Sequence, residues 1–436
     1  MWKGRGARTG WFADPNGSST GAGSIGDPWD LQTAFDGGYP ANVVQPGDTV
    51  WLRGGTYNDQ YTATDSGTNG NPITYRSYTG EWAKIDGNVH PGQLGNSINI
   101  IAVTGSDLVF RDFEIMDSGT IRSIPGDCEP YCRGDGININ GDRISVINMV
   151  IHDCGQGVVA QHKVDHIIYG NLLYYNGWFS ETWNGVGHNM YLQNNEGGSQ
   201  LISDNLSFDC WGLTIQAYGS SGSSFQDCEL AGNVCWRENV IIGGLSGFSL
   251  HGTRYHDNRT WALGTAFGYN SQDLTDTHFN DNYCAQMVGN VWYPCYYLPA
   301  VPDCDVSGNT FIGGVNDFRE GDFPDNTYIS NETPPTSNVV FVRANAYETN
   351  RASIAIFNWE DLTSVSVNLD SVVADHTSIV IRNAQDWFGT AVYTGTYHTG
   401  TPVSIPMTGL TSGDPVGFTN PGTTGPAFAC FVVREA

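Results

Sequence analysis

Apolar positions along this chain recur in short alternating runs, and the runs themselves recur. One phrase comprises an apolar residue, one or two spacers, an Asn, and then alternating apolar positions. It reads Val146-Ile147-Asn148-Met149-Val150-Ile151, then Ile168-Tyr169-Gly170-Asn171-Leu172-Leu173-Tyr174, then Ile202-Ser203-Asp204-Asn205-Leu206-Ser207-Phe208, then Leu230-Ala231-Gly232-Asn233-Val234-Cys235-Trp236. Asn282 and Asn309 centre later copies, and Asp112 fits the same slot. The steps are mostly about 23 to 36 residues, with one double step from Asn233 to Asn282. That is the length of one coil of a parallel β-solenoid. A short strand cannot bury its inner face alone, so coils stack and share a core. An Asn at the same corner of each coil then hydrogen-bonds its neighbours above and below, which makes these Asn residues structural.

A second strand set runs in phase with the first. Its copies are Asp135-Gly136-Ile137-Asn138-Ile139-Asn140, Gln156-Gly157-Val158-Val159-Ala160-Gln161, His188-Asn189-Met190-Tyr191-Leu192-Gln193 and Trp211-Gly212-Leu213-Thr214-Ile215-Gln216. A period of two turns Ile137, Val158, Met190 and Leu213 inward together with Ile139, Ala160, Leu192 and Ile215. Asn138, Asn140, Val159, Gln161, Tyr191, Gln193, Thr214 and Gln216 then face outward. This predicts an exposed sheet face carrying amides, a tyrosine and a hydroxyl, the groups that bind sugar hydroxyls and ring faces. The coil rhythm stops in the turn-rich stretch 331–337. Beyond it, alternating runs at 338–342, 352–357, 365–369 and 378–382 predict a small β-sandwich. The expected architecture is all-β: a parallel β-helix over residues 1–330 and an accessory β-sandwich over 338–436. Only residues 28–36 carry a helical pattern.

Charge narrows the partners. The net charge is −26, and Lys3, Lys84 and Lys163 are the only lysines. Such a surface repels nucleic-acid phosphates and anionic membranes, so neither is expected as a partner. Nor does any run reach the ~18 apolar residues of a membrane helix. The mostly polar outward positions favour a monomer with a groove over a trimeric shaft. Ten cysteines include the near pairs Cys128/Cys132, Cys228/Cys235 and Cys284/Cys295. Without zinc-type spacing, they read as partly disulfide-bonded and partly buried thiols in an oxidising, extracellular setting. The N-terminal stretch 1–5 lacks the apolar core of a signal peptide.

The entry segment resembles that of pectate-lyase-like parallel β-helix proteins. The resemblance rests on Asp14-Pro15-Asn16-Gly17-Ser18, on Pro28-Trp29-Asp30-Leu31-Gln32-Thr33-Ala34, and on the stretch from Pro46-Gly47-Asp48-Thr49 to Gly54-Gly55-Thr56-Tyr57, closed by Ile85-Asp86-Gly87. It implies a right-handed helix with residues 28–36 as its capping helix. The phrases around His188-Asn189-Met190-Tyr191 and Gly212-Leu213-Thr214-Ile215-Gln216-Ala217-Tyr218 are similar to those of a bacterial carbohydrate-active β-helix group. Ile354-Ala355-Ile356-Phe357-Asn358-Trp359 resembles the accessory sandwich at the end of many glycoside hydrolases. The Lys/Arg catalytic motif and the Asp cluster for Ca²⁺ of the pectate-lyase families find no match in this sequence, so no cofactor is assigned, with Ca²⁺ as the alternative.

Two reactions suit such a groove. In β-elimination a base removes the proton beside a uronate carboxylate and an acid protonates the leaving oxygen. His188 and Tyr191 are the candidates, provided His188 sits in the turn ahead of its strand, with Lys163 or Arg143 to neutralise the carboxylate. In hydrolysis two carboxylates flank the bond; Asp135 and Glu196 lead, with Asp165 and Glu181 behind. His162 and His166 bracket Lys163. Asn138, Asn140, Gln161, His162, Trp183, Gln193, Gln216 and Tyr218 are the substrate-contacting candidates. The aromatic insertion 178–184 and the Cys-containing insertion 127–135 border the same face. The expected function is polysaccharide cleavage, with elimination slightly ahead of hydrolysis. The rival from another class is a non-catalytic glycan-binding or tailspike-like surface protein.

Overall fold

A computed structural model of the chain describes residues 10–88, 98–124, 133–161, 163–182, 184–194, 198–220, 224–244, 248–270, 274–286, 303–315 and 320–436. Three parallel sheets extend through residues 11–329. Sheet I has eleven strands, from Trp11–Ala13 to Cys304–Ser307. Sheet II also has eleven, from Gly55–Asn58 to Thr327–Ile329, and sheet III has eight, from Tyr61–Ala63 to Thr265–Tyr269. Each strand pairs with its counterparts one coil earlier and one coil later. Ser145–Ile147 lies between Leu108–Arg111 and His166–Tyr169 in sheet I, and Val150–His152 lies between Glu114–Met116 and Leu172–Tyr174 in sheet II. This is the parallel β-helix that the repeats predict. The capping helix is Leu31–Phe35. Asp30 caps it by accepting from the Thr33 amide at 2.7 Å, and Leu31, Ala34 and Phe35 are buried.

The corner between sheets I and II explains the recurring Asn. It is two residues long. The first residue is left-handed in successive coils: Asp112, Asn148, Gly170, Asp204, Gly232, Asp257, Asp281 and Gly308 have φ between 54° and 69°. Gly, Asn and Asp adopt that conformation at least cost. The second residue forms the ladder. Asn171, Asn205, Asn233, Asn258, Asn282 and Asn309 each donate Nδ2 to the next Asn Oδ1, ending on Asn326, at 2.8–3.2 Å. Their other amide hydrogens reach carbonyls of sheet I, as Asn233 does to Ile202 O at 2.9 Å. Asn258 fills the double step. Asn148 and Asp112 are not ladder residues; they occupy the left-handed slot, and Met149 and Phe113 take the ladder position in those coils. Both corner positions favour Asn, so the phrase alone does not separate them.

Sheet III corrects one register. Ile137, Val158, Met190 and Ile215 are opposite one another, not Leu213, and Ile139, Ala160, Leu192 and Ala217 follow. A slip of two residues keeps the same face. Gln216 therefore still points outward, whereas Thr214 is buried in the turn and donates to Glu238 O.

Beyond Ile329 the pairing turns antiparallel. Five strands, Val339–Ala344, Ala352–Phe357, Phe428–Glu435, Ser378–Asn383 and Tyr393–Thr396, form one sheet in that order. One face shares a core with the two-stranded sheet of Ser364–Val367 and Val403–Pro406, through Ile354, Ile356, Ile379, Val365, Ile405 and Phe431. The other face packs on sheet II, with Ala355, Phe357, Phe428, Cys430 and Val432 against Leu172, Phe208, Trp236 and Trp261. This is why the strands 352–357 and 428–433 are apolar on both faces. It also corrects the expectation of mostly polar outward positions, which holds on sheet III but not on sheet II. There, outward-facing His152, Tyr174, Phe208 and Trp236 stack in a column at 4.9, 5.2 and 4.1 Å between ring centroids.

Polar ties reinforce this contact. Asp153 accepts from Arg122 and from the Val416 amide, Tyr175 donates to Gly413 O at 2.8 Å, and Arg343 pairs with Asp204 at 2.5 Å. Burial opposes a charge on His152, yet its hydrogen bonds to Asp153 and Glu114 outweigh burial and raise it to about 9.

The seven described cysteines are thiols. Cys228 and Cys235, near neighbours in sequence, lie on sheets I and II rather than in a disulfide. Burial raises Cys235 and Cys284 to about 12, which keeps them protonated. Cys128, Cys132 and Cys295 lie outside the described residues. Among the described residues, no helix is long and apolar enough to cross a membrane.

Candidate active site

The outer face of sheet III carries polar side chains in register. Its middle row runs Asn138, Val159, Tyr191, Gln216 and Ile241, one per coil. Two residues ahead of each strand register lies a second row: Asp135, Gln156, His188, Leu213 and Glu238. His188 is thus in the turn before Met190–Leu192, the position that lets it reach the groove. With strands about 4.8 Å apart, Asp135 and His188 are two coils, or roughly 10 Å, from each other.

His188 and Tyr191 sit side by side, with ring centroids 5.9 Å apart. His188 Nδ1 accepts from the Leu213 amide at 2.9 Å. Burial lowers its pKa to about 4, so the ring is neutral at pH 7. With Nδ1 committed as an acceptor, the proton of the neutral imidazole is on Nε2. The ring lies against Gly212, where a Cβ would come within 2.7 Å of Nδ1. Asn189, between His188 and the strand, is buried and donates to Leu173 O, Phe208 O and Ser207 Oγ at 3.0–3.1 Å. The strand entrance is therefore rigid.

Tyr191 is half-buried and faces outward. Gln193 Nε2 donates to its hydroxyl oxygen at 3.2 Å. That nitrogen also donates to Tyr218 O at 2.7 Å, which fixes which end of the amide is the NH₂. Burial raises the phenol above its ordinary value, and a hydrogen bond with Gln161 opposes the rise.

The remaining candidates divide cleanly. Asn138 donates to Asn99 Oδ1 at 2.9 Å and accepts from Asn140 at 3.0 Å, forming a half-buried amide chain at one end of the face that ends on the exposed Asn140. Gln216 and Tyr218 are half-buried and outward. Gln193 faces the same way but is only 1% exposed, and it braces Tyr191 instead of meeting solvent. Val159 is covered to 3%. Lys163 follows the opposite end of the Val158–Ala160 strand, across the face from His188 and Asp135. Arg143 is held by both oxygens of Asp107, at 2.8 and 3.0 Å. His166 is buried in sheet I, accepting from the Ile144 amide. Asp165 is a left-handed corner residue that accepts from the Ser199 amide, and Glu181 is exposed in the hairpin turn. His162, Trp183 and Glu196 lie outside the described residues. In the aromatic insertion, the strands Trp178–Ser180 and Asn184–Val186 form a hairpin; Trp178 is buried and Phe179 is 37% exposed.

Two carboxyls in the row hold their protons unusually well. Burial raises Asp135 to about 7 against hydrogen bonds from Gln156, and it raises Glu238 to about 8 with help from Asp209. The row therefore carries little charge near neutrality despite the strongly acidic chain. Gln156 and Glu238 were not legible beforehand, because their place depends on register. They are two residues ahead of Val158 and Val240, a signal available once coils are aligned. For Asp135 the folded pKa lies above the unfolded one, near 3.8. Its contribution to stability is therefore complete below about pH 4 and is lost as pH rises through about 7. Asp135→Asn is expected to abolish that loss, so its thermal midpoint should exceed the native one at pH 8 and not at pH 4. Matching midpoints at both pH values would contradict the assignment.

Residues 11–203 match the family model described as the Pel9A-like right-handed β-helix region. With the three stacked sheets, that match decides the fold. The coiled part of this chain is a right-handed parallel β-helix. Several solved β-helix structures are similar to it. Pectate lyase Pel9A is 15% identical, with a TM-score of 0.43, over 74% of this chain and 81% of that one. A lacto-N-biosidase from Eubacterium ramulus is 13% identical, with a TM-score of 0.49, over 73% and 67%. PfbA, a surface adhesin of Streptococcus pneumoniae, is 9% identical, with a TM-score of 0.43, over 74% and 91%. No curated protein sequence matches the chain. A fold does not by itself give a function, so function has to be argued from the site.

Proposed function

We propose that this β-helix protein is an extracellular enzyme that cleaves a uronate-containing polysaccharide by β-elimination in the groove on sheet III. The observation that carries the reading is the His188–Tyr191 pair, with the Tyr191 oxygen held by two carboxamides. The amides of Gln161 and Gln193 stabilise a phenolate at Tyr191. That phenolate takes the proton beside the uronate carboxylate; the adjacent C–O bond breaks as the ring double bond forms, and the new phenol returns its proton to the leaving oxygen. His188 is a hydrogen-bond donor here rather than the base: its Nδ1 is occupied by the Leu213 amide, so its Nε2–H is the group that offsets the carboxylate charge. The amides Asn138, Asn140 and Gln216 and the ring of Tyr218 supply sugar contacts along the axis. The match to the Pel9A-like family is in keeping with this chemistry.

One observation favours hydrolysis as the second reading. Asp135 keeps its proton to about pH 7, as a glycosidase acid requires. Glu238 is not its partner, because four coils place it roughly 19 Å away, against about 6.5–9.5 Å for an inverting pair. Glu196 is the remaining partner for that role.

The test is incubation with neutral and uronic polysaccharides, with and without EDTA, reading unsaturated-uronate absorbance and reducing ends together. Both signals should rise, and they should rise faster at alkaline pH as Tyr191 ionises. Loss with EDTA would add Ca²⁺ to the groove. Reducing ends alone would move the chemistry to Asp135 and Glu196. Glycan binding without either signal would mark a binding protein.

A further inference from the structure

Far along the sequence from the groove, the antiparallel unit gathers three metal-binding side chains. Strands Ser378–Asn383 and Tyr393–Thr396 pair with Ser378 opposite Thr396. Two residues further along that register, His376 faces His398, and the pairing continues through His376 N to Tyr397 O at 2.9 Å. The imidazoles meet edge to face at 4.9 Å between centroids. Asp375 lies between them, with its carboxylate 3.0 Å from His376 Nδ1 and 3.8 Å from His398 Nδ1. One donor atom from each of the three residues falls within 4.8 Å of the others.

The geometry suits one kind of ion. A tetrahedral zinc with bonds of about 2.0–2.1 Å to nitrogen and oxygen needs donors about 3.3 Å apart, which falls between the two measured separations. Two imidazoles and a carboxylate select zinc-class cations over Ca²⁺ or Mg²⁺, which take all-oxygen shells. The carboxylate is held before any ion arrives, because Asp375 Oδ1 accepts from the amides of Thr399 at 3.0 Å and His376 at 3.1 Å. We propose that Asp375, His376 and His398 form a surface site for a zinc-class divalent cation, with the fourth position open to water or an incoming ligand. The ion ties the entry of one strand to the exit of the sheet's edge strand.

Zinc chloride titrated into the full chain, followed by calorimetry and by thermal midpoint, tests this. One zinc per chain is expected, with a raised midpoint and no competition from Ca²⁺. His398→Ala and His376→Asn should each weaken uptake at least about tenfold. All three side chains are about half exposed or more, and Asn tolerates the left-handed backbone of His376 at φ 61°, so both variants should fold with unchanged circular dichroism. Asp375→Asn is a third variant that keeps an acceptor for both amides and should weaken zinc as well. The proposal is overturned if the native chain takes up no zinc saturably, or if uptake is undiminished in these variants.

Discussion

Tyr191→Phe is expected to lower kcat/KM on the cleaved polysaccharide by about 10²- to 10⁴-fold, the usual contribution of a positioned proton carrier. The loss should fall on kcat, because the ring and its place beside His188 remain. Phe removes the oxygen on which Gln193 and Gln161 converge, and with it the atom that shuttles the proton. The amide of Gln193 keeps Tyr218 O and Ser220 Oγ as partners, so the fold should hold. His188→Ala gives the contrasting pattern: a charge-offsetting donor is lost and KM rises along with the fall in kcat. Initial rates across substrate concentrations separate the two. A Tyr191→Phe enzyme keeping more than about a tenth of native kcat would remove Tyr191 from the chemistry and leave Asp135 as the leading acid.

The second large effect is on stability. Trp236 is fully buried between the helix and the antiparallel sheet, 4.1 Å from Phe208 in a parallel stack and 5.5 Å edge-on to Phe428. Trp236→Ala should cost about 3–5 kcal/mol, the range for emptying a large aromatic site. Trp236→Phe should cost far less. It keeps the stack, and the indole Nε1 it removes is buried without a hydrogen-bond partner. Chemical denaturation measures both. Hydrogen exchange locates the damage, which should concentrate in Ala352–Phe357 and Phe428–Glu435 while the Asn ladder stays protected. A Trp236→Ala cost below about 1 kcal/mol, or protection lost uniformly, would mean that the antiparallel sheet does not depend on sheet II.

The sequence by itself determined the coil. A left-handed corner admits little beyond Gly, Asn and Asp, and a ladder of buried amides needs Asn at one spacing, so both constraints are written as residue types at an interval. The alternation in sheet III likewise named Asn138, Tyr191 and Gln216 as outward, because a two-residue slip leaves the face unchanged. Register was a different matter. Which of two adjacent corner residues joins the ladder, and whether Leu213 or Ile215 opposes Met190, depends on pairing with chain roughly 25 residues away. Only the tertiary structure decided that Gln193 braces Tyr191 from a buried position, that Asp135 retains its proton, and that sheet II is covered by the antiparallel unit. Each follows from burial and from partners distant in sequence, as does the meeting of His376 and His398 across two strands. Local patterning records what a residue must be to make a coil, whereas a side chain's chemistry is set by the neighbours that stacking brings to it.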